Sequence, residues 1–143
     1  MKEYSGYVTV REINELTIPI TLQHNAMRNY CEQKKGIYKL AQTELVIKDS
    51  SLVLFSILKK LKKNGNAIMC SINMLPRQHK KREKIYKMII SKKIKLHFVF
   101  ENFILANEKN ISDIENFFSL VTEIKNNDFQ KHIKKFKNYR IIN

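Results

Sequence analysis

Two carboxylates and three arginines are the side chains best able to do chemistry here: Glu44 and Glu101, with Arg11, Arg77 and Arg82. Several of them follow stretches that read as β-strand. In an open parallel sheet the carboxyl ends of the strands share one edge, and ligands bind in the crevice beyond it. Arg11, Thr43, Glu44, Ser71, Asn73, Arg77 and Glu101 are expected on that rim, with Gln23 and Arg82 reaching it from helices. These nine are the candidate ligand-binding residues. Glu44 and Glu101 are the candidate catalytic pair, because two carboxylates among cations suit acid–base work or a network of sugar hydroxyls. The same residues suit ion pairs with Arg11 and Arg77 that order the loops, and the sequence leaves that alternative open.

Other chemistries have less to stand on. His24, His79, His97 and His132 are far apart, and none pairs with another His or Cys at ligand spacing, so no metal is expected. The chain has no GxGxxG and no GxxxxGK[ST], so no nucleotide cofactor is expected. It also lacks a GxSxG elbow, and Ser71 has no nearby histidine to activate it. Cys31 and Cys70 fall in element interiors without a CxxC pairing, which fits reduced, buried thiols and a cytoplasmic setting. No apolar run approaches the roughly 20 residues that span a bilayer.

Charge is unevenly placed along the 143 residues, whose formal net charge is +14. Residues 51–95 carry thirteen basic residues and one acidic; residues 96–128 carry two basic and six acidic. One section of surface should therefore attract phosphate, nucleic acid or an acidic partner. A solvated lysine face is the bland alternative, since 22 of the 27 basic residues are Lys, as AT-rich codon usage favours. An anionic small molecule such as a nucleotide-sugar or a glycolipid phosphate is a further reading. Few arginines and no basic–aromatic alternation speak against base readout, so nucleic acid is not the favoured partner.

The elements that must position these residues follow from periodicity. Gly6–Arg11 alternates and is β-branched, predicting a first strand. A loop with Asn14 and Glu15 leads to Pro19 and a helix over 21–35, with Leu22, Ala26, Met27, Tyr30 and Cys31 as its apolar stripe and Gly36 as its stop. Ile37–Ala41 reads as a second strand. Asp49, Ser50 and Ser51 are N-cap candidates for a helix to about Lys63, apolar at Leu52, Leu54, Phe55, Leu58 and Leu61. Ala67–Ile72 is an unbroken apolar run, as in a central buried strand. A basic helix over 77–92 buries Ile85, Met88 and Ile89 and turns Lys80, Lys81, Lys84 and Lys87 to water. Lys95–Phe100 is a fourth strand and Phe103–Ala106 a short fifth. Ser112 with Glu115 reads as a capping box for a helix over 112–125, followed by a basic helix and tail over 126–143. The length suits one domain with one core, without excluding a homo-oligomer.

Particular residues also carry two resemblances. Tyr7-Val8-Thr9-Val10-Arg11, Leu22-Gln23 and Asn73-Met74-Leu75-Pro76-Arg77 are similar in placing to motifs of the serine recombinase catalytic domain, the resolvase and invertase group. That resemblance implies a scaffold and not strand cleavage. Arg11 stands where the family has its nucleophilic serine, Thr9 where it has an arginine, and Asn73-Met74 where it has Asp-Arg; only Arg77 matches. Gly6-Tyr7, Gln23-His24-Asn25, Arg28-Asn29-Tyr30-Cys31, Thr43-Glu44, Leu75-Pro76 and Glu101-Asn102 resemble the sporadic carbohydrate cluster proteins of bacterial surface-polysaccharide loci. This second resemblance implies an accessory protein of surface-carbohydrate biosynthesis that binds or modifies an anionic sugar intermediate. The first implies a catalytically dead domain that binds nucleic acid or a protein. Both agree with one expected architecture: a single three-layer α/β domain with an open, mostly parallel sheet of four to five strands, flavodoxin- or resolvase-like.

Overall fold

The computed structural model describes residues 1–12 and 17–124. The Asn14–Glu15 loop and the basic helix and tail expected over 126–143 lie outside the described residues. In chain order the elements are β1 (Glu3–Val8), α1 (Ile20–Gln33), β2 (Ile37–Thr43), α2 (Leu52–Lys60), β3 (Asn66–Met69), a 3-10 turn (Ile72–Met74), α3 (His79–Lys92), β4 (Lys95–Phe98) and β5 (Phe103–Leu105). A further helix, α4, covers residues 108–124. The chain divides into two compact units, Met1–Asn110 and a second one starting at Ile111.

The five strands form one sheet in the order β2-β1-β3-β4-β5. The first four are parallel, and β5 returns antiparallel to β4 through Phe98↔Phe103. The chain steps from β1 out to β2 and then back across β1 to β3. Right-handed crossovers then place α1 on one face and α2 and α3 on the other. Side chains agree with this. Tyr4 meets the Tyr30 ring of α1 edge-on, whereas Tyr7 points the other way and donates to Glu44, which follows β2 and accepts from the first turn of α2. Met27, Leu54, Ile68, Met69, Ile85, Ile89, Leu96 and Phe98 are fully buried and form the core.

Several expected boundaries shift, each for a physical reason. β1 begins at Glu3, which pairs with Ile37, and ends at Val8, so Arg11 stands beyond the strand and not in it. Leu22 is exposed, and its expected place in the buried stripe of α1 is taken by Gln23, whose amide is saturated by backbone. Gly36 does not supply the left-handed turn after α1; Lys35 does, at φ 54°. Gly36 donates back to the Cys31 carbonyl at 2.8 Å and must lack a Cβ because the Tyr4 ring occupies that space. α2 is shorter than expected, and none of the expected residues caps it by a side-chain bond; Ser51 sits at the cap position without one. β3 stops at Met69 and β4 at Phe98, each passing into turn. α4 starts a turn earlier than the Ser112–Glu115 box. Asn110 N–H donates to Asn107 Oδ1 at 3.0 Å, and Asn107 N–H returns the bond to Asn110 Oδ1 at 3.2 Å.

One irregularity matters later. Ser5 pairs with Lys39 but Tyr7 pairs with Gln42, so β2 carries an extra residue opposite Gly6. Such a bulge turns neighbouring side chains to one face. Gly6 answers it by leaving room, since a Cβ there would stand 2.9 Å from both Ala41 Cβ and the Tyr38 ring.

Candidate functional site

Because β1 to β4 are parallel, the segments that follow them gather at one end of the sheet, and the expected rim forms there. Its groups, however, are bound to one another. Glu44 is only 4% exposed. Its carboxylate accepts from Tyr7 OH at 3.0 Å, Ser50 OH at 2.9 Å and the backbone N–H groups of Leu45, Val53 and Leu54 at 3.1, 3.1 and 3.2 Å. The last two are first-turn donors of α2, which have no partner inside the helix. Glu44 is therefore the cap that Asp49, Ser50 and Ser51 were expected to provide. Burial pushes its pKa up, but the bonds from Val53, Ser50, Leu45 and Leu54 outweigh that and hold it below the ordinary value. A carboxylate so held stays ionised and acts as a poor proton carrier.

Arg11 is tied as firmly. Its guanidinium bonds Asp49 Oδ1 at 3.2 Å, the Leu75 carbonyl at 3.1 Å and the Met74 carbonyl. Asp49 is the hub of this end of the sheet. Its carboxylate also accepts from the Arg77 and Gln78 N–H groups at 2.7 and 3.2 Å, and its carbonyl accepts from Lys81 Nζ at 2.6 Å. It does so from a left-handed backbone at φ 54°, which Asp tolerates better than most residues. The expected Glu44 and Glu101 pairings with Arg11 and Arg77 do not form, because Asp49 takes Arg11. Sequence reasoning saw Asp49 only as a helix cap, because its partners Arg11, Arg77 and Gln78 are 28 or more residues away along the chain.

The other candidates also serve the loops. Gln23 donates to the Thr9 and Ile18 carbonyls at 2.8 and 2.9 Å and accepts from Thr9 N–H at 3.3 Å, fixing the exit of β1. Ser71 donates to Glu101 at 2.6 Å and accepts from Asn73 N–H at 3.2 Å; Glu101 also accepts from Ile72 N–H at 3.0 Å. Glu101 sits at the surface in the β4–β5 turn and braces the 3-10 turn. Arg82 is buried and bonds the Pro76 and Arg77 carbonyls at 3.0 and 2.7 Å. Thr43 is exposed at the end of β2. Arg11 Nε and Asn73 Oδ1 are buried polar atoms without a protein partner among the described residues.

Free cations lie next to this rim, just before α3 and along it. The side chains of Arg77, Lys80, Lys84 and Lys87 are exposed, while the one acid of the helix, Glu83, is engaged by His79 at 3.1 Å. Lys81, expected to face water, instead leans on Asp49. The end of α2 is fixed by Lys92, which bonds the Leu58 and Leu61 carbonyls at 3.0 and 2.9 Å.

A groove of about 640 Å³ opens at the opposite end of the strands, among Lys2, Ser5, Lys39, Leu40, Lys60 and Lys62. It exists because α2 stops at Lys60 and because the β2 bulge turns both Lys39 and Leu40 outward. The crevice expected at the carboxyl rim is thus filled by side-chain bonds, and open space is found at the amino end. Cys31 and Cys70 are buried thiols, pushed up by burial to about 11 and about 12, so they are poor nucleophiles at neutral pH. His97 lies between Tyr4 and Tyr30, with Nε2–H donating to Asn66 Oδ1 at 3.0 Å and Nδ1 accepting from Tyr30 OH at 2.9 Å. No helix among the described residues is long and apolar enough to cross a membrane.

Comparison with known proteins adds the fold. The N-terminal catalytic domain of TP901-1 integrase, a crystal structure, superposes with a TM-score of 0.61 at 14% identity, over 88% of this chain and 98% of that one. The scaffold is therefore resolvase-like. No family model matches the sequence, and no curated protein matches it.

Proposed function

We propose that this chain is a non-cleaving binding module on a resolvase-like scaffold, engaging a phosphate-bearing partner through the exposed cations of α3. One observation carries the reading: at the carboxyl rim Arg11 is held by Asp49, and Glu44 and Glu101 by hydroxyl and backbone N–H groups, whereas the side chains of Arg77, just before α3, and Lys80, Lys84 and Lys87, along it, face outward. Attack on a phosphodiester needs an activated nucleophile and free cations to meet the charge that develops. At the position that the motif resemblance would give to the recombinase serine, Arg11 is bound to Asp49 and two backbone carbonyls. Binding phosphate needs only the cations.

The test is anisotropy with a short labelled duplex, as a generic polyanion, across a salt series. Lys80→Gln, Lys84→Gln and Lys87→Gln together should flatten the salt dependence by about one unit of slope per lysine. Lys59→Gln, Lys62→Gln and Lys63→Gln, an equal loss of charge at the end of α2, should leave most of it. Equal effects from both sets would reduce the binding to net charge and refute the α3 face. Nicking of supercoiled plasmid would refute the non-cleaving part.

A second reading, an accessory protein of surface-carbohydrate biosynthesis, is favoured by the amino-end groove. Its volume is in the range of small-ligand sites, and Lys2, Lys60 and Lys62 would meet a sugar phosphate or nucleotide-sugar, while Lys39 pairs with Glu3 at 2.9 Å in the same lining. A thermal-shift panel of such compounds tests it. Stabilisation lost in Lys60→Gln with Lys62→Gln supports it, and no stabilisation by any of them ends it.

A further inference from the structure

The loop between β2 and α2 is built in an unusual way. Its two acids are turned inward: Glu44 is buried on the start of α2, and Asp49 is bound to Arg11 and the start of α3. Between them lie three consecutive aliphatic residues, Leu45, Val46 and Ile47, which are 46%, 86% and 62% exposed. Leu52, on the first turn of α2, is 63% exposed. Scattered exposed aliphatics are ordinary, but a run of three at the tip of a loop pinned at both ends is not. The pinning at Asp49 sets this tip against the start of α3, where Arg77 and Lys80 face solvent, and Lys48 follows the apolar run directly.

We infer that this tip and the adjoining α3 cations form a docking surface for an anionic lipid bilayer. The inference rests on the anion-binding reading above and names its partner. An apolar wedge bordered by lysine and arginine matches an interface with an acyl boundary below and anionic headgroups around it. Nucleic acid would use the cations and leave the aliphatic wedge in water. A second copy of this chain would cover the wedge, but a two-fold contact centred there would set the same cations against each other. The two inward-turned acids matter here, because an outward carboxylate at either position would be repelled by an anionic surface.

Co-sedimentation of the full chain tests this, using vesicles of equal parts phosphatidylglycerol and phosphatidylcholine, with pure phosphatidylcholine vesicles and the labelled duplex in parallel. Val46→Asn with Ile47→Asn changes only exposed side chains, so the fold is kept, which a melting curve checks. The expected result is binding to the anionic vesicles that weakens about tenfold or more in this variant, with duplex binding unchanged. Arg77→Gln and Lys80→Gln should each weaken vesicle binding about fivefold. Duplex binding without vesicle binding overturns the membrane inference and leaves the α3 reading standing; binding to neither overturns both. Equal binding to pure phosphatidylcholine, or by the tip variant, overturns the inference as well. So does a dimer that the tip variant converts to monomer without any vesicle binding, since the wedge would then be a self-association face.

Discussion

Glu44→Gln tests whether the rim is a cross-link or a free site. The wild-type carboxylate receives five hydrogen bonds, from Tyr7, Ser50, Leu45, Val53 and Leu54. Glutamine has nearly the same shape, but its amide nitrogen would point donors at one set of these donors. Hydrogen bonds to a charged group are worth about 1.5–3 kcal/mol each, and the two to the α2 N-terminus also lose the helix dipole. If two bonds are lost, the cost is about 3–6 kcal/mol, a fall of roughly 10 °C or more in melting temperature for a domain of this size. The pH dependence gives a second readout. Glu44 is held below its ordinary 4.5, so its contribution is complete above that value and is lost as pH falls through the folded-state pKa. Wild type and variant should therefore differ most at neutral pH and converge in acid. Thermal melts from neutral to acidic pH measure both. A variant melting within about 2 °C of wild type at neutral pH, with a parallel acid profile, would refute the cross-link argument.

His97 and Asp49 offer two more perturbations. His97 is pushed down to about 4 from 6.5, first by burial and then by Lys95, Lys2 and Lys34. The unfolded chain gains that proton near pH 6.5 and the folded one only near pH 4, so stability should fall across this window, by roughly 3 kcal/mol at most. Denaturant unfolding at pH 7.5 and pH 5 measures it, and His97→Gln should remove most of this slope. Asp49→Ala frees Arg11 and the Arg77 and Gln78 N–H groups and leaves alanine at φ 54°, for a loss of about 2–4 kcal/mol. Asp49→Asn keeps an acceptor and tolerates that backbone, so it should fall between alanine and wild type in the same unfolding assay.

The fold was largely legible because its signals are local. The unbroken Ala67–Ile72 run marks the central strand, and the spacing of Ile85 and Ile89 marks the buried side of α3. Element ends were less legible, because they depend on partners distant in sequence. Glu44 caps α2 across the loop, where local rules pointed to Asp49, Ser50 and Ser51. Gly36 looked like a helix stop, but the Tyr4 ring from β1 is what requires a glycine there. The rim residues were gathered as parallel topology demands, yet their expected pairing was displaced by Asp49, whose reach from β2–α2 to α3 no pattern along the chain encodes. The amino-end groove was invisible for a similar reason: it arises from a bulge in β2 and an early end to α2, which the residue types there do not announce.

Amide chemical-shift mapping during titration with the short duplex tests the central claim most directly, because it sees the α3 face and the carboxyl rim in one experiment. Shifts concentrated on Arg77, Lys80, Lys84 and Lys87, with Tyr7, Thr9 and Glu44 unmoved, are the predicted result. Shifts centred on Thr9, Arg11, Glu44 and Ser71 would show that the rim opens to a ligand, and would contradict the account.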